Sequence, residues 1–476
     1  RRPCSSCPQA GWGRGRRHDF KIFDFEKPFL ESKLKTKQYF KDLISFAKID
    51  DLEAFSGTVI IDLNLKTFIS DLKTKKLNKK LNFNGELNLD SLSFSHKALK
   101  QKIDYFDCNV QFDQNILNSE NLVLKIGDTE IKSKLKISNL LPYFMDKTQS
   151  LKVDLDLIAN KINTNELIAP SPKKNNESEK EELNQPILIN LNATIDELVH
   201  ENYKAKDFSA QISILNKKTI INNLKTKTLG GKVEVPSFVL NQENKNYDRY
   251  DLTFSTENIK IDSLMSLFNN FEQDFITNKN LKGDLTLNGQ CSFITDKKGE
   301  FNPKSLNAQL DFSIINGHLI KFEPMKKLSK FLKHQDLEDI RFHELKNSIH
   351  IEDELITIPE MTIRSNLNTI TILGTQHFNG SMNYKLALDL KNYKTPQGED
   401  HQFRPDHSGR TQLFLNMQKS ANGDLKISYD TKATKEKINE SLKREKEEFI
   451  NIFKKKKEEK KSQKVEISED ELFLDD

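Results

Sequence analysis

His401 and His407, with Asp400 and Asp406 beside them, are residue types that could hold a divalent metal or activate a water molecule. They sit in TPQGEDHQFRPDHSGR (395–410), a polar stretch with no helical spacing to bring two imidazoles onto one face. They read as solvated loop residues; a hydrolase built here would depend on His401. The histidines at His334, His343, His350 and His377 are scattered, and no HExxH pair occurs. Cys4 and Cys7 have CxxC spacing, but Gly11 and Gly13 oppose the helix that a redox motif needs, and no second pair completes a zinc site. Cys108 and Cys291 are isolated and read as small core residues. No GxSxG, phosphate-binding loop or strand-linked GxGxxG is present. Carboxylates are spread along polar strand faces, so none stands out as a catalytic pair. These residues predict no enzyme, no metal and no cofactor.

The 476 residues carry 74 Lys and Arg against 70 Asp and Glu, a net charge of +4. That balance lacks the clustered basic excess of a nucleic-acid footprint. Hydrophobic residues make up 36% and charged ones 30%, so core material is limited. No stretch approaches the length of an apolar membrane span. Residues 1–17 hold five arginines and the single Trp12, unlike the Lys- and Asn-rich chain that follows, and read as foreign to the domain.

The elements that dominate the chain are alternating strands. Val59, Ile61, Leu63 and Leu65 alternate with polar neighbours, as do Leu81, Phe83, Leu87 and Leu89. Further strands are expected at 103–112, 121–126, 130–137, 151–157, 187–195 and 208–214, with a bend at Leu229-Gly230-Gly231. A helix is expected over 29–53. The stretch 170–186, with three prolines and a Lys/Glu run, reads as a polar linker or loop. Two segments align weakly, DLDLIANKINTNELI (154–168) and DLTFSTENIKIDSLM (251–265), each as strand, step, short strand and helix start, with Asn165 and Asp262 as expected N-caps. Later, Leu310, Phe312 and Ile314 alternate before an expected turn at Asn316-Gly317. A short helix is expected from Pro324, with Met325, Leu328, Phe331 and Leu332 as its stripe. Strands then follow near 348–351, 355–358, 360–365, 369–374 and 382–390, and at 411–417 and 424–429. The tail, 432–461, reads as a charged helix containing Lys454 to Lys457; a solvated cap is the default, a membrane surface or partner helix the alternative.

Three stretches, NGHLIKFEPMKKLSKFL (316–332), LEDIRFHELKNSIHIEDELITIPEMTI (337–363) and ITILGTQHFNGSMNYKLALDL (370–390), resemble the C-terminal region of the AsmA-like family of Gram-negative envelope proteins. The shared pattern of strand, Gly turn, Leu-rich helix and meander falls at Gly317, Leu328, Gly374, Phe378 and Tyr384. Glu352-Asp353-Glu354 stands where the family often has Asn-Gly, which leaves the turn type open. The resemblance covers roughly 300–435, and the upstream half only in style.

Residue patterns and resemblance together predict a mostly β fold, an elongated antiparallel, groove-like twisted sheet with a few short helices and a charged C-terminal helix. The regions expected are 18–169, 187–299, 300–431 and the tail 432–476, around the linker at 170–186. Many strands carry one apolar face and few helices are available to cover them. Those faces must meet each other, a membrane or an apolar ligand. The resemblance implies the last: a groove that binds phospholipids or other acyl lipids, passed between inner and outer membranes without a covalent step. It also implies a periplasmic location, an inner-membrane anchor missing from this sequence, and contact with outer-membrane assembly proteins. Inward-facing candidates are Val153, Leu155, Leu157, Ile189, Leu191, Leu252, Phe254, Leu310, Phe312, Ile314, Leu386 and Leu388. The competing reading is a structural scaffold of the cell envelope with a dry β-sandwich core.

Overall fold

The computed structural model describes residues 17–24, 26–47, 51–70, 81–145, 148–167, 169, 186–272, 275–326, 338–366, 369–390, 404–405, 411–421, 423–429 and 450. The expected C-terminal helix, the His401/His407 loop, the CxxC pair and most of 170–186 lie outside these. Among the described residues, 22 strands belong to one sheet. The chain divides into two compact units, residues 1–228 with 234–245, and residues 229–233 with 246–476.

Unit 1 holds β1 (Arg17–Phe23), β2 (Phe29–Tyr39), β3 (Leu52–Phe68), β4 (Asn82–His96), β5 (Ile103–Asp113), β6 (Ile116–Ile126), β7 (Thr129–Ser138), β8 (Leu151–Asn163), β9 (Ile187–His200), β10 (Tyr203–Leu215) and β11 (Lys218–Thr228). Most of β12 (Gly231–Asn241) also belongs to it. Each strand from β1 to β7 pairs antiparallel with the next in the sequence. The pair β8–β9 breaks the pattern and runs parallel, with Val153 beside Ile189 and Leu155 beside Leu191. A parallel neighbour needs a long return connection, and the one here, 164–186, contains the Pro- and Lys/Glu-rich stretch. Antiparallel pairing resumes at β9–β10 and β10–β11.

The helix expected over 29–53 is confined to Phe40–Ala47. Residues 29–39 form β2, and its Leu34 pairs with Leu63 of β3. The helical apolar spacing begins only at Phe40; before it, Leu34 stands among alternating Lys and Thr, and strand pairing wins.

Unit 2 holds β13 (Tyr247–Lys260), β14 (Leu281–Asp296), β15 (Asn307–Ile320), β16 (Asp339–Glu352), β17 (Leu355–Arg364), β18 (Thr369–His377), β19 (Met382–Leu390), β20 (Arg404–Pro405), β21 (Thr411–Lys419) and β22 (Lys426–Tyr429). They form an antiparallel meander. The turn expected at Asn316-Gly317 is a bulge inside β15. Lys282 pairs with His318 but Asp284 with Ile315, so β15 carries one extra residue there, and Asn316 takes φ 51°. Gly317 is needed because the Phe342 ring lies against its Cα, where a side chain would overlap it. The break expected between 358 and 360 is likewise a bulge within the continuous β17, between Ile358 and Met361, and Asn347 Nδ2 donates to the Pro359 carbonyl at 2.9 Å. At the β16–β17 hairpin, Asp353 (φ 50°) and Glu354 (φ 61°) are both left-handed, which is type I′ geometry without glycine.

Both weakly aligned segments do end a strand and start a helix, at Thr164–Leu167 and Ile261–Leu267. Their caps differ from expectation. Asn163 Oδ1 accepts from the Asn165 amide at 3.1 Å, while the Asn165 side chain bridges to the Glu201 backbone. Lys260 occupies the N-cap of the second helix, and Asp262 lies in its first turn, favoured there by the helix dipole. The step is seen only in β13, as a bulge with Asn258 at φ 55°.

Candidate apolar binding face

In an antiparallel or parallel ladder, paired residues point to the same side of the sheet, so register extends each apolar residue into a row. Three rows cross β7, β8, β9 and β10. The first is Ile137, Val153, Ile189 and Ile214; the second is Leu135, Leu155, Leu191 and Ile212; the third is Ser133, Leu157, Ala193 and Ala210. The first two rows are half-buried throughout, whereas Ser133, Ala193 and Ala210 are buried. The first row continues through Leu117 and Phe112 to Gly85, Leu63 and Leu34. Small side chains thus fill the deep row on either side of Leu157, and bulky aliphatic ones line the partly exposed rows.

The opposite face explains why this sidedness is stable. Lys136, Asp154, Asn190 and Ser213 form a polar row in register, as do Lys134, Asp156, Asn192 and Gln211. Asn190 Nδ2 donates to Asp154 at 2.8 Å, Asn192 Nδ2 to Asp156 at 2.7 Å, and Ser213 Oγ to Asn190 at 3.0 Å. Burial acts to raise the Asp154 pKa, but the hydrogen bonds from Asn190 and Lys152 and the charges of Lys152 and Lys136 outweigh it and hold the carboxyl below its usual range. A one-residue slip would put these charges on the apolar side, so the register is strongly fixed.

Two short helices of unit 1, Phe40–Ala47 and Thr164–Leu167, pack at strand ends. Phe40 meets Phe55 at 5.7 Å and Phe94 at 5.6 Å between ring centroids, and Leu167 packs into a cluster with Ile103 and Ile126. Beside the deep row, Cys108 is buried with its Sγ 3.3 Å from Ser119 Oγ, and burial pushes its thiol pKa up. Cys291, in unit 2, is half-buried and pairs with Leu252 and Ala308.

Of the expected inward residues, Val153, Leu155, Leu157, Ile189 and Leu191 therefore lie together on one face. In unit 2, Leu252, Phe254, Leu310 and Phe312 are also half-buried. Phe254 and Leu310 converge over Gly289, where an added Cβ would lie 2.6 Å from Leu310 Cδ2 and 2.9 Å from Phe254 Cζ. Ile314, Leu386 and Leu388 have a different fate. Ile314 is buried with Ile259, Leu285, Phe342 and Leu345. Leu386 and Leu388 are buried with Leu413 and Leu415 under Phe322 and Met325. Leu388 is 0% exposed. These three belong to packed cores. Tyr384 joins the same core; its hydroxyl lies 3.2 Å from Gln376 Oε1, and burial pushes its pKa well above the ordinary phenol value.

Phe112, Leu117, Ile137, Ile212 and Ile214 share the unit 1 face but were not among the expected residues. Their alternation is visible in the sequence; the register that joins them to Val153 and Ile189 is not. Among the described residues, no three His, Cys, Asp or Glu side chains gather closely enough to hold a metal ion. His350 is buried on β16 with Nε2 3.4 Å from Glu352, and His343 and His377 are exposed. No described helix is long and apolar enough to cross a membrane. No family model, curated protein or solved structure matches the chain, so the functional reading rests on this geometry and on the sequence pattern.

Proposed function

We propose that the chain is an AsmA-like envelope protein that holds acyl lipids on the half-buried apolar face of unit 1 and passes them along it without covalent chemistry. The observation that carries this reading is the pair of registered aliphatic rows across β7–β10, partly open on one side and backed by a hydrogen-bonded polar face. An acyl chain laid across such rows gains about 0.8 kcal/mol per buried CH₂, whatever its headgroup. Affinity would therefore follow chain length, and selectivity among acyl chains would be loose. Residues one strand apart repeat at about 4.8 Å, so a chain can advance from one row position to the next without leaving apolar surface.

On this reading the protein works in the periplasm of a Gram-negative cell. It moves phospholipid between inner and outer membranes, with support of outer-membrane assembly as the outcome and an inner-membrane anchor as its tether. The packed cluster under Phe322 and Met325 favours a second, structural role for the C-terminal strands, as a rigid scaffold that carries no lipid. Native mass spectrometry with lipid extraction, on the full chain purified without detergent, tests the reading. Co-purifying phospholipid, at one or more copies per chain, is expected; a stably folded, lipid-free protein that takes up none from phospholipid vesicles would overturn it in favour of the scaffold.

A further inference from the structure

We propose that β1 is a self-association edge, through which two copies of this chain join their sheets antiparallel about a two-fold axis at Phe20. Among the described residues β1 pairs only with β2, over the whole of Arg17–Phe23 without a bulge. Its other edge therefore presents a row of backbone donors and acceptors. The edge is apolar as well as open: Phe20 is 66% exposed, Ile22 39% and Phe23 48%. Phe20 and Ile22 lie on the side of the sheet that carries the apolar rows, because Phe20 pairs with Ser32 and on to Leu65, and His18 with Leu34 and on to Leu63. Native edges are normally blunted by charged side chains, proline, bulges or very short length; β1 carries Asp19 and Lys21 but no proline and no bulge. The last strands of unit 2 show such blunting, where β21 is flanked over short spans by β22 and by the proline-containing β20.

The sequence of β1 selects a second copy as the occupant. For the two apolar faces to remain on one side, opposed residue numbers must add to an even sum, since an odd sum sets Phe20 against Lys21 and flips one sheet. Among the even sums, 38 opposes Asp19 with Asp19, and 42 opposes Lys21 with Lys21. The sum 40 opposes Asp19 with Lys21 twice, Phe20 with Phe20, and His18 with Ile22. The sum 36 also opposes Arg17 with Asp19 twice, but it overlaps only three residues of each strand; the sum 40 pairs all seven and adds an aromatic contact on the apolar face to its two ion pairs. It also continues the charge alternation of the polar face, in which Lys21 already lies beside Glu31, and Glu31 forms an ion pair with Lys66 at 3.1 Å. The interface is isologous, as closed dimers require, and it extends the strand pairing that builds the sheet.

Sedimentation equilibrium on the full chain tests this, with circular dichroism as the control for folding. The wild-type chain is expected to dimerise. Asp19→Lys and Lys21→Asp each convert both ion pairs to like-charge pairs and are expected to weaken the dimer by about tenfold or more. The double variant Asp19→Lys/Lys21→Asp restores the pairs with reversed sign and is expected to recover wild-type association. Both side chains are exposed, but Asp19 lies opposite Lys33 and Lys21 opposite Glu31 on β2, so each variant also sets like charges across β1–β2, and its association is read only where circular dichroism shows the wild-type fold. A wild-type chain that stays monomeric at every concentration, a dimer indifferent to the single substitutions, or a double variant no better than the singles would each overturn the proposal.

Discussion

Leu388→Asp is expected to destabilise the protein by about 5 kcal/mol or to prevent folding, whereas Leu155→Asp should cost only about 1 kcal/mol and leave the fold intact while lowering bound lipid. The contrast follows from what faces each side chain. Leu388 pairs with Ile370 and Leu413, is 0% exposed, and belongs to a cluster closed by Phe322 and Met325. A carboxylate there would be held among apolar side chains, away from water, and must either be protonated or open the core. Leu388→Ala, which introduces no charge, should still cost about 3 kcal/mol through the cavity it leaves. Leu155 lies between Leu135 and Leu191 in a half-buried row, so a carboxylate there keeps part of its hydration. Chemical denaturation of the three variants beside wild type, with lipid content measured on each, separates the two positions. Equal loss of stability at Leu155 and Leu388 would mean that the unit 1 rows are as tightly packed as the C-terminal core.

Gly374→Ala is expected to cost about 4 kcal/mol, the second largest effect of a single small change. Gly374 sits in β18 at φ 152°, opposite Tyr384. An added methyl group would overlap the Asn383 carbonyl oxygen and lie 2.7 Å from Tyr384 Cδ1. Left-handed strain and overpacking then add, each of order 1–3 kcal/mol. Gly299 supplies the control. It takes φ 88° but has nothing within 4 Å of a would-be Cβ, so Gly299→Ala should cost about 1 kcal/mol from backbone strain alone. Thermal or urea unfolding of the two variants gives the difference directly, and similar losses at both sites would show that the closeness of Tyr384 contributes nothing.

Strand existence was largely legible in the sequence, because alternation over 103–112, 121–126, 130–137, 187–195 and 208–214 has no other simple reading. Each of these lies within an observed strand. The parallel pair β8–β9 was not legible. Leu151–Leu157 and Ile187–Ala193 alternate alike in either direction, and only the intervening 164–186 decides which way the chain returns. Bulges were misread as ends: Asn316-Gly317 and Pro359 carry turn chemistry, but the same freedom from ordinary strand geometry serves equally to insert one residue into a ladder. The helix expected over 29–53 shrank to Phe40–Ala47 because pairing with β3 competes for Leu34.

The candidate site was legible only as a set of inward residues. Leu155 in DLDLIA and Leu388 in LALDL have the same local pattern, yet one is half-buried and the other sealed. Leu388 shares its core cluster with Phe322, Met325 and Ile340, the first two more than sixty residues earlier in the chain. No local reading of β19 contains that information. Conversely, the five residues Val153, Leu155, Leu157, Ile189 and Leu191 become one surface only through the register of β8 on β9.

Photocrosslinking at single positions tests the central claim most directly. A photoreactive side chain would replace Leu191, its polar-face neighbour Asn192, or the buried Leu388, and each full-length variant would be irradiated after incubation with phosphatidylethanolamine–phosphatidylglycerol vesicles. The account predicts phospholipid adducts at 191 and none at 192, with 388 unreactive toward lipid wherever that variant folds. Adducts equal at 191 and 192, or absent from 191 in a folded protein, would contradict an acyl-binding face on β7–β10.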